Sequence, residues 1–192
     1  MNRKHVCVAL AGVLAASLLT TLPGTGVAHA SNTERDDARA ESAVPEPAAA
    51  RALFERLKGL SGEWRGRSTK GWEETTTYRT IAAGSVVMAT SFDAHPDETM
   101  VTMFALDGDR LQLIHYCVAG NQPELEATQI ASDGLSATFT FTGGGNLPTR
   151  DRGHMDQAVF RFVSDERVTS QWTWYQDGEE RWMEEIEYQR LR

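Results

Sequence analysis

The sequence predicts an all-β protein, a single antiparallel up-and-down barrel of about ten strands with a short N-terminal helix. Three observations predict this fold class. From Gly62 onward, apolar residues recur at every second position, which is the period of a strand with one buried face. Short turn signals such as Asp133-Gly134 and Asp177-Gly178 separate these stretches at regular intervals. A barrel is favoured because its closure leaves no open edge beside so many sequential hairpins.

Residues 1–30 have the features of a secretory signal peptide. Arg3 and Lys4 form the basic start, residues 6–22 form the apolar run, and Ala28-His29-Ala30 has the small-x-small form of a cleavage site. A retained membrane anchor is the alternative, but the apolar run is short for a transmembrane helix. We therefore expect export to a periplasm or to the outside of the cell, with no membrane insertion after signal cleavage.

The composition limits the classes of partner. The chain of 192 residues has a formal net charge of −8, and loss of Arg3 and Lys4 with the signal makes the mature protein more acidic. Nucleic acids and anionic membranes are bound through clustered lysine and arginine, so we expect neither as a partner. The cysteines are Cys7, within the signal, and Cys117, so the mature chain can form no intramolecular disulfide. The Cys117 thiol must then be buried, occupied or reactive.

Residues 31–46 are charged and nearly free of bulky apolar side chains, which predicts a disordered linker. A single domain of residues 47–192 follows. Pro47 suits the first turn of a short helix that ends near Lys58, with Gly59 as its stop. The apolar stripe of this helix consists of Leu53, Phe54 and Leu57.

The strands follow the helix in order. The predicted strands are Gly62–Ser68, Trp72–Ala82, Ser85–Phe92, Met100–Asp107, Arg110–Val118, Leu125–Ala131, Leu135–Thr142, His154–Val163, Arg167–Tyr175 and Arg181–Leu191. Alternation gives each strand an inner and an outer face. Phe139 shares a face with Phe141, Phe160 with Phe162, and Trp172 with Trp174.

Alternation also predicts an interior that is not a plain apolar core. The side chains predicted to point inward include Trp72, Glu74, Thr76 and Tyr78 of the second strand and Trp182, Glu184, Ile186 and Tyr188 of the last. Met183, Glu185, Glu187 and Gln189 are predicted to point outward. Carboxylates are seldom buried without a partner, so a water-accessible cavity is the simplest explanation for the inward glutamates.

The segment from His115 to Pro123 concentrates polar chemistry where a strand meets a loop, a common position for a binding site. Asn121 and Gln122 are predicted to lie in a turn that Pro123 ends, and Gly143 to Gly145 to form a flexible lip. The face of the fifth strand that points inward stays open between two sets of residues. The candidate ligand-binding residues are His115, Tyr116, Cys117, Asn121, Gln122, His154, Trp174, Tyr78 and Glu184.

A metal site is an alternative interpretation of the same residues. His115 and Cys117 are two positions apart and therefore share a strand face. His154 points inward if its strand is unbroken, and the three side chains, with Glu74 or Glu184 as a further ligand, could then form a zinc site. The competing interpretation is structural, with an imidazole satisfied by the backbone and a small buried thiol.

Three resemblances to known families follow from particular residues. Leu60-Ser61-Gly62-Glu63-Trp64 resembles the opening of lipocalin-like (calycin) barrels, which implies that Trp64 pairs with Arg190, or second with Arg192. A ten-stranded version is similar to nitrobindin, which implies haem held by a histidine. The glycine-rich opening of nitrobindin that ends in Tyr-Pro is replaced here by residues 65–72.

The third resemblance covers about Leu60 to Arg190. It is to uncharacterised exported bacterial proteins that share His-Tyr-Cys, Asn-Gln-Pro and Gly-His-Met, here His115–Cys117, Asn121–Pro123 and Gly153–Met155. This resemblance implies no particular activity.

Together, these observations predict an exported binding protein that holds a small, largely apolar or amphipathic molecule, without a cofactor and with no assigned catalytic residue. One alternative is a haem- or zinc-loaded barrel with redox or hydrolytic activity. Another is a structural or interaction domain without a ligand.

Overall fold

A computed structural model describes residues 45–91 and 99–192. The predicted signal peptide, residues 1–30, and most of the linker predicted at 31–46 lie outside the described residues. Within the described ranges, no helix is both long and apolar enough to span a membrane.

The short helix is α1, Pro47–Lys58, with the bounds expected from its first proline. Its apolar stripe is buried, and its last turn carries basic residues, which suit the negative end of a helix. Gly59 follows as predicted but with a φ of −62°, so the glycine is not required by a left-handed backbone there.

Ten antiparallel strands form a closed barrel in which sequential strands pair and β1 closes on β10. The strands are β1 Gly62–Ser68, β2 Glu73–Ile81, β3 Val86–Ser91, β4 Met100–Asp107, β5 Arg110–Tyr116, β6 Gln122–Ile130, β7 Ser136–Gly145, β8 His154–Ser164, β9 Arg167–Gln176 and β10 Glu179–Arg190. The predicted all-β barrel with a short N-terminal helix is confirmed.

One end of the barrel is closed around Trp64. Its side chain is fully buried, and its indole Nε1 donates a hydrogen bond of 2.7 Å to the Leu60 carbonyl. The Arg190 guanidinium lies 4.3 Å from the Trp64 ring and donates to the carbonyls of Gly59 and Ser61 at 2.7 and 2.8 Å. The pairing of Trp64 with Arg190, implied by the resemblance to calycin barrels, is present. Helix α1 contacts β2, β4, β5 and β6, so it contributes to the same closed end.

Above this end, three phenylalanines form the central layer of the core. Phe104, Phe139 and Phe160 meet edge-to-face, with ring centroids 5.5 to 6.0 Å apart. Such contacts stabilise a core beyond the burial of area alone. The barrel interior above Phe104 and Phe160 is not filled, and the candidate site lies there.

Two bulges interrupt the predicted alternation near the other end of the barrel. The register of β10 against β9 shifts between Trp182 and Glu184, and Met183 lines a cavity instead of pointing outward as predicted. The register of β8 against β9 shifts between Met155 and Gln157. A bulge inserts one extra residue and changes the direction of the side chains beside it. His154 was predicted to point inward only if its strand is unbroken, and the bulge breaks it. Met155 lines the cavities instead.

The predicted flexible lip at Gly143 to Gly145 is wrong, because these residues belong to β7 and pair with Gln122 to Glu124. The predicted turn is also wrong for Gln122 and Pro123, which are in β6. The cause is close backbone approach: a Cβ at Gly144 would lie 2.7 Å from the Gln122 carbonyl oxygen. Glycine permits this approach.

Candidate functional site

The open end of the barrel holds a cavity of about 680 Å³, called the mouth here. Its walls are largely sulfur-containing and aromatic: Trp72, Met100, Cys117, Met155, Trp174 and Met183. Lys70, Glu73 and Glu184 supply the charged groups. Methionine and tryptophan together give a deformable apolar wall, which suits a small molecule.

Below the mouth lies a smaller cavity of about 50 Å³, called the chamber here. Its polar lining consists of Glu74, Tyr78, Thr102, His115, Ser170, Glu184 and Tyr188, together with Ser91. Phe104, Phe160 and Trp172 are among its apolar walls. The space accommodates one or two water molecules or a small chemical group, but not a whole metabolite.

Three residues line both cavities and therefore mark their junction: Met100, Met155 and Glu184. Glu184 is the charged member of this set. Its Oε2 accepts a short hydrogen bond of 2.5 Å from the Ser68 hydroxyl of β1. A half-buried carboxylate is thus held in place where an apolar cavity meets a polar one.

The chamber contains a buried carboxylate–phenol pair. The Tyr188 hydroxyl donates a hydrogen bond of 2.7 Å to Glu74 Oε1, and both side chains are at most 5% exposed. Burial, and then the charge of Glu74, raise the pKa values of Tyr188 and Tyr78 well above the usual range. Both phenols therefore stay protonated and remain hydrogen-bond donors.

Gly66 makes room for this pair. A Cβ at Gly66 would lie 2.8 Å from Tyr188 Cε1 and 2.9 Å from Glu74 Cγ. Real Cβ atoms do not approach other atoms so closely, so any side chain here would displace the pair. The glycine of β1 is therefore part of the site although it has no functional group.

His115 is the imidazole of the chamber. Its Nδ1 lies 2.9 Å from Thr102 Oγ1, and its ring lies 5.0 Å from that of Trp172. Its buried Nε2 has no hydrogen-bond partner among the described residues. Burial lowers the pKa of His115 to about 4, so the ring is neutral near pH 7. A neutral ring with an unpaired nitrogen has the capacity to bind a water molecule or a ligand group.

The open question about the face of β5 is resolved by burial. Leu111, Leu113 and His115 point inward, whereas Tyr116 is on the outer side and 45% exposed. Cys117 follows the end of the strand and lines the mouth. Burial raises the pKa of the Cys117 thiol, and a hydrogen bond from the Ala119 backbone N–H partly offsets this.

His154 belongs to a separate cluster of buried polar side chains with Arg150 and Asp156. Its Nδ1 lies 2.6 Å from the Arg152 carbonyl oxygen, which can only accept, so Nδ1 carries the proton. Its Nε2 then accepts from Arg150 Nη1 at 2.5 Å. Arg150 also contacts buried Asp156, with Nη2 2.7 Å from Oδ1, and stacks between Phe141 and Tyr175.

This cluster fills a division in the barrel wall. The pairing of β7 with β8 ends at Thr140 and Gln157, although β7 continues to Gly145 along β6. His154 does not line the mouth or the chamber. Its described contacts lie between the separated strands.

Asn121 and Gln122, between β5 and the start of β6, also lie outside both cavities. Asn121 is 1% exposed, and its Nδ2 donates a hydrogen bond of 2.8 Å to the Gly153 carbonyl. Gln122 lies against Gly145 of the neighbouring strand. These contacts join two loops of the open end and do not reach either cavity.

The structure thus brings together five of the nine candidate residues and leaves four outside the cavities. Tyr78, His115, Cys117, Trp174 and Glu184 line the mouth or the chamber, whereas Tyr116, Asn121, Gln122 and His154 line neither. His115, Cys117 and His154 do not converge. Among the described residues, no three histidine, cysteine, aspartate or glutamate side chains are close enough to share a metal ion.

Sequence reasoning missed several residues of the site. Thr102, Ser170, Met100 and Met155 line the cavities but were not among the candidates. The alternation of β4 gives a signal for Thr102, which shares its inward face with Phe104. The same argument finds Ser170 from Val168 and Trp172.

Comparison with known proteins shows little similarity. No family model matches the chain, and no curated protein matches it. A solved structure from Nostoc punctiforme, a protein of unknown function from the DUF3598 family, is similar with a TM-score of 0.44 and 12% sequence identity. The match covers 70% of this chain and 49% of that one, so it spans about half the length of the Nostoc protein.

Proposed function

We propose that this protein binds a small, largely apolar molecule in the mouth, with a polar group of the ligand directed at the chamber. The observation that carries the proposal is the mouth itself. Its volume of about 680 Å³ is in the usual range for small-molecule sites, and methionine and tryptophan side chains line it without filling it. A barrel that served only as a stable body would gain stability by filling this space.

The polar chamber supports the same function. Glu74, Tyr188 and His115 are buried around a small cavity where desolvation costs free energy. Such groups fix the orientation of a ligand through hydrogen bonds. The contact between Trp64 and Arg190 supports membership of the calycin group, and we propose that assignment with the function. Export through the signal predicted at residues 1–30 is part of the same proposal.

Binding of a neutral apolar fluorophore to the mature chain tests the proposal. N-phenyl-1-naphthylamine should become fluorescent with 1:1 stoichiometry, and Trp174→Ala should weaken its binding because it removes a mouth wall. Val163→Ala is the matched control, since Val163 is 48% exposed on β8 away from the mouth. No binding, or equal loss in both variants, would contradict the proposal. Native mass spectrometry and an absorption spectrum of untagged protein separate it from the haem and zinc alternatives.

A further inference from the structure

We propose that the ligand of this barrel is an amphipathic amine, whose apolar body occupies the mouth and whose protonated nitrogen is held at Glu184. This inference rests on the proposed function and specifies the chemical class of the ligand. It follows from the charges, the aromatic groups and the shape of the two cavities.

The first argument is the position of the charge. Glu184 lies at the junction of the mouth and the chamber, where a bound molecule would change from apolar to polar surroundings. Ser68 donates to one carboxylate oxygen, Oε2. Among the described residues Oε1 has no hydrogen-bond partner, and the proposal assigns this oxygen to the ligand. A cation at this point would neutralise a carboxylate that is otherwise partly desolvated.

The second argument is the sign of the charge that the lining residues give the chamber. The described residues that line it include two carboxylates, Glu74 and Glu184, and no lysine or arginine. His115 adds no positive charge near pH 7, because burial lowers its pKa to about 4. The two tyrosines stay neutral. The chamber therefore has a negative potential, which attracts a cation and repels an anion.

The third argument is the aromatic lining. Trp172, Tyr78 and Tyr188 line the chamber, and Trp72 and Trp174 line the mouth. The faces of aromatic rings carry negative charge density and attract ammonium groups, most strongly where water is excluded. A carboxylate among aromatic rings is thus a suitable environment for an alkylammonium group. The alkyl chain of such a ligand would pack against the methionine walls of the mouth.

A fatty acid is the main competitor, because it also has an apolar body and a charged end. Its carboxylate would lie beside Glu184 and Glu74, and like charges at such distances repel. Among the described residues that line the mouth, Lys70 is the cation, and its side chain is exposed at the rim. It would therefore hold an acid at the entrance and not at the chamber.

The test compares three ligands of equal chain length: octylamine, octanol and octanoate. Each competes with N-phenyl-1-naphthylamine for the mature protein at pH 7 and low salt. We expect octylamine to bind about tenfold more tightly than octanol, and octanoate to bind more weakly than both. Glu184→Gln should reduce the affinity for octylamine to that for octanol and leave octanol unchanged. Glu185→Gln is the control, because Glu185 contacts Arg161 instead of the cavities.

The outcomes separate the two proposals. If octylamine binds no better than octanol, or octanoate binds as tightly, the inference about the amine is overturned while the binding function stands. If the fluorophore itself does not bind, the proposed function fails. If a folded Glu184→Gln variant loses the same affinity for octylamine and for octanol, the carboxylate does not hold the amine. The inference about the amine is then overturned.

Discussion

Gly153 lies against the Trp174 indole, so close that a Cβ at position 153 would be 2.4 Å from Cζ2 of the ring. Trp174 is opposite Met155 in the pairing of β8 and β9, and both line the mouth. The glycine therefore determines where one wall of the mouth stands. Asn121, which donates to the Gly153 carbonyl, connects this point to the next loop.

Gly153→Ala should displace Trp174 and alter the mouth without unfolding the barrel. We expect a loss of about 1–3 kcal/mol in the free energy of unfolding, which is the usual cost of forcing extra volume into a packed site. Fluorophore affinity should fall at the same time. The control is Ala119→Gly, which changes a residue of the mouth without adding volume. Gly108→Ala is unsuitable as a control, because Gly108 has a positive φ that strains an alanine. Unchanged affinity in Gly153→Ala would contradict the role assigned to Trp174.

Arg190→Ala should destabilise the closed end by about 2–4 kcal/mol, because it removes charge-assisted hydrogen bonds to three carbonyls and the stacking on Trp64. Arg190→Lys should recover only part of this, since an ammonium lacks the planar fork. Urea unfolding measures both variants. Arg192→Ala removes a neighbouring exposed arginine and should have little effect. Equal losses for the alanine variants would contradict the prediction.

Stability should depend on pH through His115. Its pKa is lowered to about 4 in the folded state, so between pH 6.5 and 4 the unfolded chain binds a proton that the folded chain does not. Stability is therefore fully retained above pH 6.5 and falls as the pH decreases towards 4. By pH 5 the loss from this group is about 2 kcal/mol.

His115→Gln removes the titrating group, so its stability should decrease less between pH 7 and pH 5 than that of the natural protein. Urea unfolding at both pH values gives the comparison, and each protein is its own reference. Parallel decreases in the two proteins would show that His115 is not the group responsible.

The Arg150–Asp156 pair should behave as a structural ion pair. Arg150→Met leaves the buried Asp156 carboxylate without its cation, and we expect a loss of about 3 kcal/mol in the free energy of unfolding. Arg150→Met combined with Asp156→Asn should recover part of the loss, because the uncompensated charge is gone. Fluorophore affinity should change little in either protein. A large loss of affinity with unchanged stability would place this cluster in the binding site.

Cys117 should react slowly with a disulfide reagent at pH 7. Burial raises the pKa of its thiol, so little thiolate is present, and it is the thiolate that reacts. A ligand in the mouth should slow the reaction further, since Cys117 lines that cavity. Labelling followed by mass spectrometry gives the rate, with the unfolded protein in urea as the reference. A rate that does not respond to saturating fluorophore would contradict the placement of the ligand.

The fold and half of the site could be predicted from alternation alone. The regular strands gave the inward positions of Tyr78, Glu184 and Tyr188, because a period of two fixes the face of each residue once one is known. The prediction was wrong at Met183 and incomplete at Met155. Both residues lie at bulges, where one strand has an extra residue relative to its neighbour. The position of a bulge depends on how the two strands pair, which the alternation within one strand does not reveal.

The other differences between the predicted and observed placement of residues have a similar origin. A run of three glycines indicates a loop when it is considered alone, but Gly144 is required because the Gln122 backbone approaches it in the next strand. Asn121, after β5, and His154, at the start of β8, line neither cavity, and their described contacts join loops and separated strands. In both cases the partner is distant in sequence, so only the fold identifies it.

The contact between Arg190 and Trp64 has a consequence for how this barrel can evolve. It anchors the last strand to the first at the end opposite the mouth, so the connections that surround the mouth are not what holds the chain closed. If the mouth holds a ligand as proposed, exposed positions of those connections outside the Arg150–Asp156 pair and the Gly153 contact can change its specificity while the scaffold survives. The same separation makes the barrel a suitable starting point for selecting new binding specificities from libraries of loop variants.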